Sequence, residues 1–226
     1  MPLFVLRVWV PDRPGALGAV ASRIGAVRGD LVGIDILERG GGRAIDELVI
    51  ELPDEGLVQL LISEVSEVDG VDVEDVRRAK DALADPRLDA LETAADLVAQ
   101  SSVVSLLQSL AKSSLRDFQS VWAAVVEPGA PEHVVAVGDV PAGQWLSAFL
   151  AGSRASIAPR VGDSGPDDVA WAEMDAAGLV LVIGRHGRPF RARERRQLTA
   201  LTRIVDTRWS ELVVRATRQV HPSAFR

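Results

Sequence analysis

The 226-residue chain contains no cysteine, and this absence removes several kinds of function. Without thiols, a protein forms no disulfide, no thiolate zinc site and no cysteine nucleophile. The chain also lacks any apolar run of about eighteen residues, so we expect no membrane-spanning helix. The first ten residues have no basic segment before a long apolar run, which predicts no signal peptide and a cytoplasmic location.

Positive charge is scarce, with 25 lysines and arginines against 32 acids and a net charge of −7. This balance makes nucleic acid unlikely to be a general partner. Residues 184–226 are an exception, since they carry 11 bases and 3 acids. That stretch could bind phosphate, nucleic acid or an acidic protein. Pairing with the chain's own acidic side chains is the favoured interpretation, because arginines near a helix N-terminus need compensation.

Motifs for catalysis and metal binding are missing as well. The three histidines, His133, His186 and His221, show no spacing that is typical of metal ligands. The sequence has no GxxxxGK[ST] phosphate loop and no GxSxG motif, and no predicted helix follows the glycines at 40–42. The sequence therefore predicts a protein that is not an enzyme and that has no cofactor or metal site.

The first eighty residues contain a clear pattern of secondary structure. Alternating apolar residues at 3–10 predict a strand, and apolar residues at helical spacing from Leu17 to Val27 predict a helix. Pro14 is expected in the first turn of that helix and Gly29 at its end. The remaining predicted elements are strands at 31–38, 44–52 and 71–76, with a second helix between Pro53 and Gly70. The order βαββαβ predicts an α+β, ferredoxin-like domain with both helices on one face of a four-stranded sheet.

The other face of this sheet also carries apolar residues in the predicted pattern. Trp9, Leu37 and Val49 are expected to point there. A large apolar patch is energetically unfavourable when it is exposed to solvent. We therefore expect this face, or the edge of the sheet, to meet another domain or a second subunit.

The segment Asp12-Arg13-Pro14-Gly15-Ala16-Leu17, followed after a helix by Gly29-Asp30-Leu31-Val32, resembles the ACT domain family over residues 3–78. The resemblance implies a regulatory domain, residues 1–80, that binds an amino acid or a related effector at a homodimer interface. It implicates Asp12, Arg13, Gly15, Ala16 and Leu17 of one subunit, with Leu31, Val32 and Gly33 of the other opposite them. Several amino-acid-binding members have asparagine in place of Leu31, and many members only dimerise. A ligand-free module that docks on a partner protein is therefore the alternative.

The chemistry of the predicted loop also favours ligand binding. The first amides of a helix have no partner within the helix and lie at its positive end, so a carboxylate gains hydrogen bonds there. Gly15 allows the ligand to approach the backbone closely. Asp12 can accept a hydrogen bond from an ammonium group, and it can also cap the helix. Both roles for Asp12 stay open at this point.

The second half of the chain has a different pattern. Residues 81–87 are polar and contain Asp85-Pro86, which predicts a linker. A domain over 88–220 is then expected from the periodicity that follows. Its predicted elements are helices at 88–98 and 103–110, strands at 117–126 and 134–140, a helix at 144–150, a loop at 153–167, strands at 169–174 and 179–185, and a long helix at 192–220. The apolar stripe of the long helix includes Leu198, Leu201, Val205, Leu212 and Ala216.

The run from Gly178 to Arg185, then Pro189-Phe190 and the segment from Glu194 to Leu198, resembles the end of a GAF domain. The resemblance covers about 88–215 and implies a GAF-like sensor fold around an antiparallel sheet. A PAS-like or distinct α/β domain is the alternative. A GAF-like domain can hold a small molecule between sheet and loops. The candidate lining residues are Trp122, Trp145, Phe149 and Trp171, although core packing is the favoured role for such large aromatic residues.

Overall fold

The computed structural model describes residues 1–79, 86–155 and 168–220. The chain divides into two compact units, Met1–Ala84 and Asp85–Arg226. Each unit contains one four-stranded antiparallel sheet, so the fold is a mixed one of helices and sheets. Within the described ranges, no helix combines the length and the apolar character needed to cross a bilayer.

The first unit has the predicted βαββαβ order, and its sheet has the strand order β2-β3-β1-β4. Both helices pack on one face of the sheet, around a core that includes Leu6, Val8, Leu48 and Ile50. A short 3-10 turn at Glu55–Leu57 precedes the second helix. The elements are β1 (Leu3–Pro11), α1 (Ala16–Ala26), β2 (Asp30–Gly40), β3 (Arg43–Glu51), α2 (Val58–Ser66) and β4 (Asp72–Arg78).

Both ends of α1 differ in detail from the prediction. Pro14 lies in the turn before the helix, because Gly15 is the N-cap residue and adopts a left-handed φ of 87°. At the other end the left-handed residue is Arg28, with φ of 61°, rather than Gly29. Gly29 is needed for another reason: a Cβ there would lie 2.9 Å from the Cγ2 atom of Ile24 and 3.2 Å from that of Ile50. The glycine therefore allows α1 to pack closely on β3.

The sheet face away from the helices carries a charged network rather than a continuous apolar patch. Arg7 is only 1% exposed, and its Nε and Nη2 groups donate to Glu47 Oε1 at 3.0 and 2.8 Å. Arg77 Nη1 lies 2.9 Å from the same oxygen. Burial alone would raise the pKa of Glu47, but Arg77 and Arg7 outweigh burial and lower it to about 2. The carboxylate therefore stays charged and links β3 to both β1 and β4.

None of the three apolar residues predicted for that face is fully exposed to solvent. Leu37 is buried, and Val49 and Trp9 are half-buried. The indole N–H of Trp9 donates to Glu74 at 2.7 Å, and the guanidinium of Arg43 lies 5.2 Å from the centroid of the ring. Polar contacts thus satisfy the one polar group of this tryptophan. The expectation of a neighbouring domain or subunit on this face stays a prediction.

The second unit has its sheet in the order β6-β5-β8-β7. Helices α3, α4 and α6 belong to a core on one face of the sheet, which includes Leu106, Leu110, Leu198 and Val205. A smaller core on the other face includes Leu146 of α5. The elements are α3 (Pro86–Ala99), α4 (Val103–Asp117), β5 (Trp122–Val126), β6 (His133–Gly138), α5 (Gly143–Ala155), β7 (Val169–Met174), β8 (Leu179–Gly184) and α6 (Ala192–Val220).

Four predictions for this unit are corrected by the structure. Pro86 and Arg87 begin α3 instead of ending a linker. The strand predicted at 117–126 is shorter, because Phe118 ends α4 in the core and Gln119 turns the chain with a φ of 49°. Helix α5 extends to Ala155, so only 156–167 of the predicted loop remains, and those residues lie outside the described ranges. Ala216 is exposed rather than part of the buried stripe of α6.

Candidate ligand-binding loop

The candidate loop joins β1 to α1 and is anchored at its start by backbone hydrogen bonds. The Asp12 N–H donates to the Gly42 carbonyl at 2.9 Å, and the Arg13 N–H donates to the Pro11 carbonyl at 2.8 Å. Asp12, Arg13 and Gly15 are all exposed. Arg13 lies 3.8 Å from Asp69, a pair so exposed that it contributes little. The loop therefore has a fixed base and an open outer side.

The amides at the start of α1 are available to a ligand. No side chain caps the helix, and its first turn contains no acidic residue. The Ala16 N–H donates to the Arg13 carbonyl at 3.3 Å, but the amides of Gly15, Leu17 and Gly18 have no acceptor within the described residues. A Cβ at Gly15 or Gly18 would meet no atom within 4 Å. Three unpaired N–H groups thus lie at the positive end of a helix dipole, with open space beside them.

Asp12 does not cap α1, so one of its two predicted roles is wrong. The N-cap position belongs to Gly15, and Asp12 makes no hydrogen bond through its side chain within the described residues. Its carboxylate is exposed and belongs to the same loop that leads to the unpaired amides. A hydrogen bond from a ligand to Asp12 stays a prediction.

The two halves of the predicted site lie at opposite ends of the sheet of one chain. Leu31 pairs with Ile50, which pairs with Phe4 near the start of β1, whereas the loop follows Pro11 at its end. Pro11 lies seven positions after Phe4 along β1, which corresponds to about 23 Å. The structure therefore does not bring the loop near Leu31, Val32 and Gly33 of the same chain. A site that uses both groups needs a second copy, as the resemblance implied.

The structure adds one residue, Asp46, that the sequence reasoning missed. It is 3% exposed, lies opposite Val8 in the β1–β3 register, and its Oδ1 atom has no hydrogen-bond partner. Burial raises the pKa of Asp46, Arg39 opposes this effect, and the negative charge of Asp12 adds to it. The strand alternation that places Leu48 in the core also places Asp46 on the same face. An aspartate at a core position of that alternation was the available signal.

The four aromatic residues proposed to line a second pocket form a packed group. Trp122 is buried, and its ring lies against Gly184, where a Cβ would clash with it. Phe149 and Trp171 pack against the same core on the α5 side of the sheet. Trp145 is 43% exposed and stacks on Phe149, with ring centroids 5.4 Å apart. These contacts favour the core role, and the pocket stays a prediction.

The basic stretch at the start of α6 makes contacts within the chain. Arg185 is buried, and its two Nη groups donate to the two carboxylate oxygens of Glu194 at 2.7 and 2.9 Å. Further donor groups of Arg185 reach the carbonyls of Phe118, Arg188 and Pro189. This arginine therefore joins the end of β8 to α6 and is not available to an external phosphate.

Other chemistry is limited in the described parts of the chain. Within them, no group of three or more histidine, cysteine or acidic side chains is arranged to hold a metal ion. A shallow depression of about 700 Å³ lies along α6. Of its two acidic residues, Asp206 accepts hydrogen bonds from the amides of Ala176 and Ala177, both at 3.0 Å, and Glu211 pairs with Arg208 at 2.7 Å. The loop before α1 is therefore the best candidate site.

No protein-family model and no curated protein sequence matches this chain. Solved structures that are similar include the ACT domain of a GTP pyrophosphokinase from Chlorobium tepidum, at 19% identity and a TM-score of 0.29, covering 35% of this chain and 100% of that one. The C-terminal domain of the MgtC protein from Mycobacterium tuberculosis is 16% identical with a TM-score of 0.29, covering 38% of this chain and 95% of that one. A formyltetrahydrofolate deformylase from Pseudomonas putida KT2440 is 19% identical with a TM-score of 0.28. The match covers 43% of this chain and 39% of that one. Structural neighbours of part of the chain are thus ACT domains, at scores too low to decide its function.

Proposed function

We propose that this chain is a non-enzymatic regulatory protein that binds a small effector, an amino acid, at the loop before α1. The observation that carries the proposal is the set of unpaired amides at Gly15, Leu17 and Gly18 beside the uncommitted carboxylate of Asp12. The amides suit the carboxylate of an amino acid, and Asp12 suits its ammonium group. Since both ends of such a ligand find a partner, a zwitterion fits better than a simple anion.

Binding would regulate the protein by favouring one arrangement of two chains. A second copy would present Leu31, Val32 and Gly33 to a ligand held by the loop of the first. A ligand shifts such an equilibrium only through its different affinities for the two states. The GAF-like second unit would then relay the change or add a signal of its own.

The proposal is tested by thermal unfolding of the full chain in the presence of each amino acid at millimolar concentration. A ligand at about 100 times its Kd stabilises the state that binds it by about 2.7 kcal/mol, which raises the Tm. We expect at least one amino acid to do so, and we expect the shift to disappear in Asp12→Asn. The matched control is Asp89→Asn, at an exposed position in α3. If no amino acid raises the Tm of the wild-type protein, the effector proposal fails.

A ligand-free interaction module is the second candidate, and the edge strand β2 favours it. Val32, Ile34 and Ile36 are 48, 46 and 38% exposed, and Leu31 replaces a polar residue of amino-acid-binding ACT domains. An exposed apolar edge strand is suited to pair with another chain. Light scattering after gel filtration would show a dimer that Ile34→Lys dissociates. A monomer at all concentrations would exclude a second copy as the partner, and a stoichiometric protein partner with a silent amino-acid screen would favour this candidate.

A further inference from the structure

Helix α3 has apolar residues on two of its sides, and only one of these sides is covered. Leu97 is buried in the core of the second unit. On another side of the helix, Leu88, Leu91 and Val98 are 52, 68 and 51% exposed. Together with the exposed Ala95 they form an outer stripe, at the alternating spacing of three and four residues with which one helix packs along another. The outer stripe therefore fits a second helix.

An acidic border runs along one side of the outer stripe. Its members, Glu92 and Asp96, are exposed, and neither carboxylate pairs with a cation among the residues that the structure describes. A second copy of α3 laid along the stripe would bring two more acids to the same contact, and like charges that face each other are unfavourable. The stripe therefore suits a helix that carries basic residues beside its apolar ones.

The end of α6 has the opposite charge and lacks a cover. The buried stripe of this helix stops at Leu212, because Ala216, one turn later, is exposed. Val214 and Arg215 are exposed on other sides of the same turn, although the helix continues to Val220. Packing supplies most of the stability of helices in proteins, and a turn exposed on all sides gains little of it. The end of α6 is therefore an apolar and basic segment in need of a neighbour.

Helices α3 and α6 lie next to each other in the second unit. Arg208 of α6 donates through Nε and Nη2 to the carbonyl of Gln100, which follows α3, at 3.2 and 2.7 Å. Leu97 of α3 and Leu212 of α6 belong to the same core. The outer stripe and the end of α6 are therefore parts of neighbouring helices, and a two-fold axis can pair each with the other element of a second copy.

We infer that two chains pair through their second units, with the end of α6 of each chain along the outer stripe of α3 of the other. Arg215 then faces the acidic border, and Val214 and Ala216 cover part of the stripe. Each stripe has only four apolar side chains, so the contact is too small for a tight dimer and reinforces other pairing. The inference goes beyond the proposed function, because it gives the second unit a role in assembly.

The absence of cysteine permits a test by disulfide trapping in the full chain. One preparation carries Ala95→Cys in the outer stripe and the other Ala216→Cys at the end of α6. Both also carry Ile34→Lys, so that pairing of the first units does not hold the chains together. Oxidation of the mixture should give at least about five times as much mixed dimer as either homodimer, whereas random pairing gives about twice as much. The control Ala151→Cys, at an exposed position of α5, should pair with Ala95→Cys only at random.

Charge reversal tests the part that Arg215 plays. Glu92→Arg in the first preparation, or Arg215→Glu in the second, should slow the formation of mixed dimer about fivefold at low ionic strength, relative to the Ala151→Cys control. The two reversals combined should restore the rate.

Two results would overturn the inference. One is mixed dimer in no more than the random amount, and the other is a preference of Ala95→Cys chains for each other, which would mean that α3 packs on α3. Neither result affects a Tm that an amino acid raises and that Asp12→Asn abolishes, so the proposed function is tested separately.

Discussion

Replacing Glu47 by glutamine removes one negative charge from the centre of the network on the outer sheet face. Glu47 accepts hydrogen bonds from Arg7 and lies in ion-pair distance of Arg77, and its side chain is 16% exposed. Arg7 is 1% exposed, and its Nη1 atom also lies 3.8 Å from Glu74. Glutamine has the same shape but no charge, so the variant removes the counter-charge that Arg7 and Arg77 share.

The pKa of Glu47 gives the size of the effect. It falls from 4.5 to about 2 on folding, since the two arginines outweigh the opposing effect of burial. Each tenfold change in a proton-binding constant is worth about 1.4 kcal/mol, so the charged form contributes roughly 3 kcal/mol. Because the folded-state pKa is the lower one, this stability is fully present above pH 4.5 and is lost as the pH falls towards 2.

Urea unfolding at a series of pH values measures both consequences. The amide NMR signals of residues 1–79 report on the first unit separately, because two units need not unfold together. Glu47→Gln should lose roughly 3 kcal/mol at neutral pH and show a shallower loss between pH 4.5 and 2. The control Glu64→Gln breaks a surface pair with Arg23 and should cost at most about 1 kcal/mol. Equal stability of Glu47→Gln and wild type at neutral pH would refute this reasoning.

Two further predictions concern the packing of α1 and the buried ion pair of the second unit. Gly29→Ala should destabilise the first unit by about 1–3 kcal/mol, because the new Cβ meets Ile24. In the control Gly25→Ala the new Cβ points into open space, and the variant should stabilise α1 by about 0.5–1 kcal/mol. Urea unfolding of both variants measures the difference. Glu194→Gln should cost the second unit roughly 3 kcal/mol by leaving Arg185 without its counter-charge, and the fluorescence of the four tryptophans in that unit follows its unfolding.

Most of the first unit follows from the spacing of its apolar residues. Strands β1 and β3 alternate along their length, and α1 repeats apolar residues at the helical period, so the order βαββαβ was predictable. The ends of α1 were harder to predict, because Pro14 fits a first helical turn and also the turn before it. The left-handed φ of Gly15 is what decides between the two.

The strand predicted at 117–126 shows a limit of periodicity. Phe118 is buried, as an inward strand residue would be, but its partner is the core beneath the end of α4. Burial alone does not distinguish a helix end from a strand start when the segment is short. The turn at Gln119 arises from a residue that seldom adopts positive φ, so no glycine or proline marked it.

The candidate site was predictable in part for the same reason. A helix start always has backbone amides without partners in the helix, so the position of the loop followed from the sequence, but only the structure shows that no side chain caps these amides. The buried Asp46 was not visible in the same way. Asp46 is distant in sequence, and only the pairing of β3 with β1 brings it to the same end of the unit.

The open start of α1 also affects how experiments on this protein are prepared. Backbone amides do not distinguish one small anion from another, so phosphate or sulfate in a buffer can occupy the place of an effector's carboxylate. Titrations in such buffers would then report a competition, and the apparent affinity would fall as the buffer concentration rises. A bulky, weakly coordinating buffer anion avoids this competition, and adding sulfate back stepwise would count the anions displaced when an effector binds.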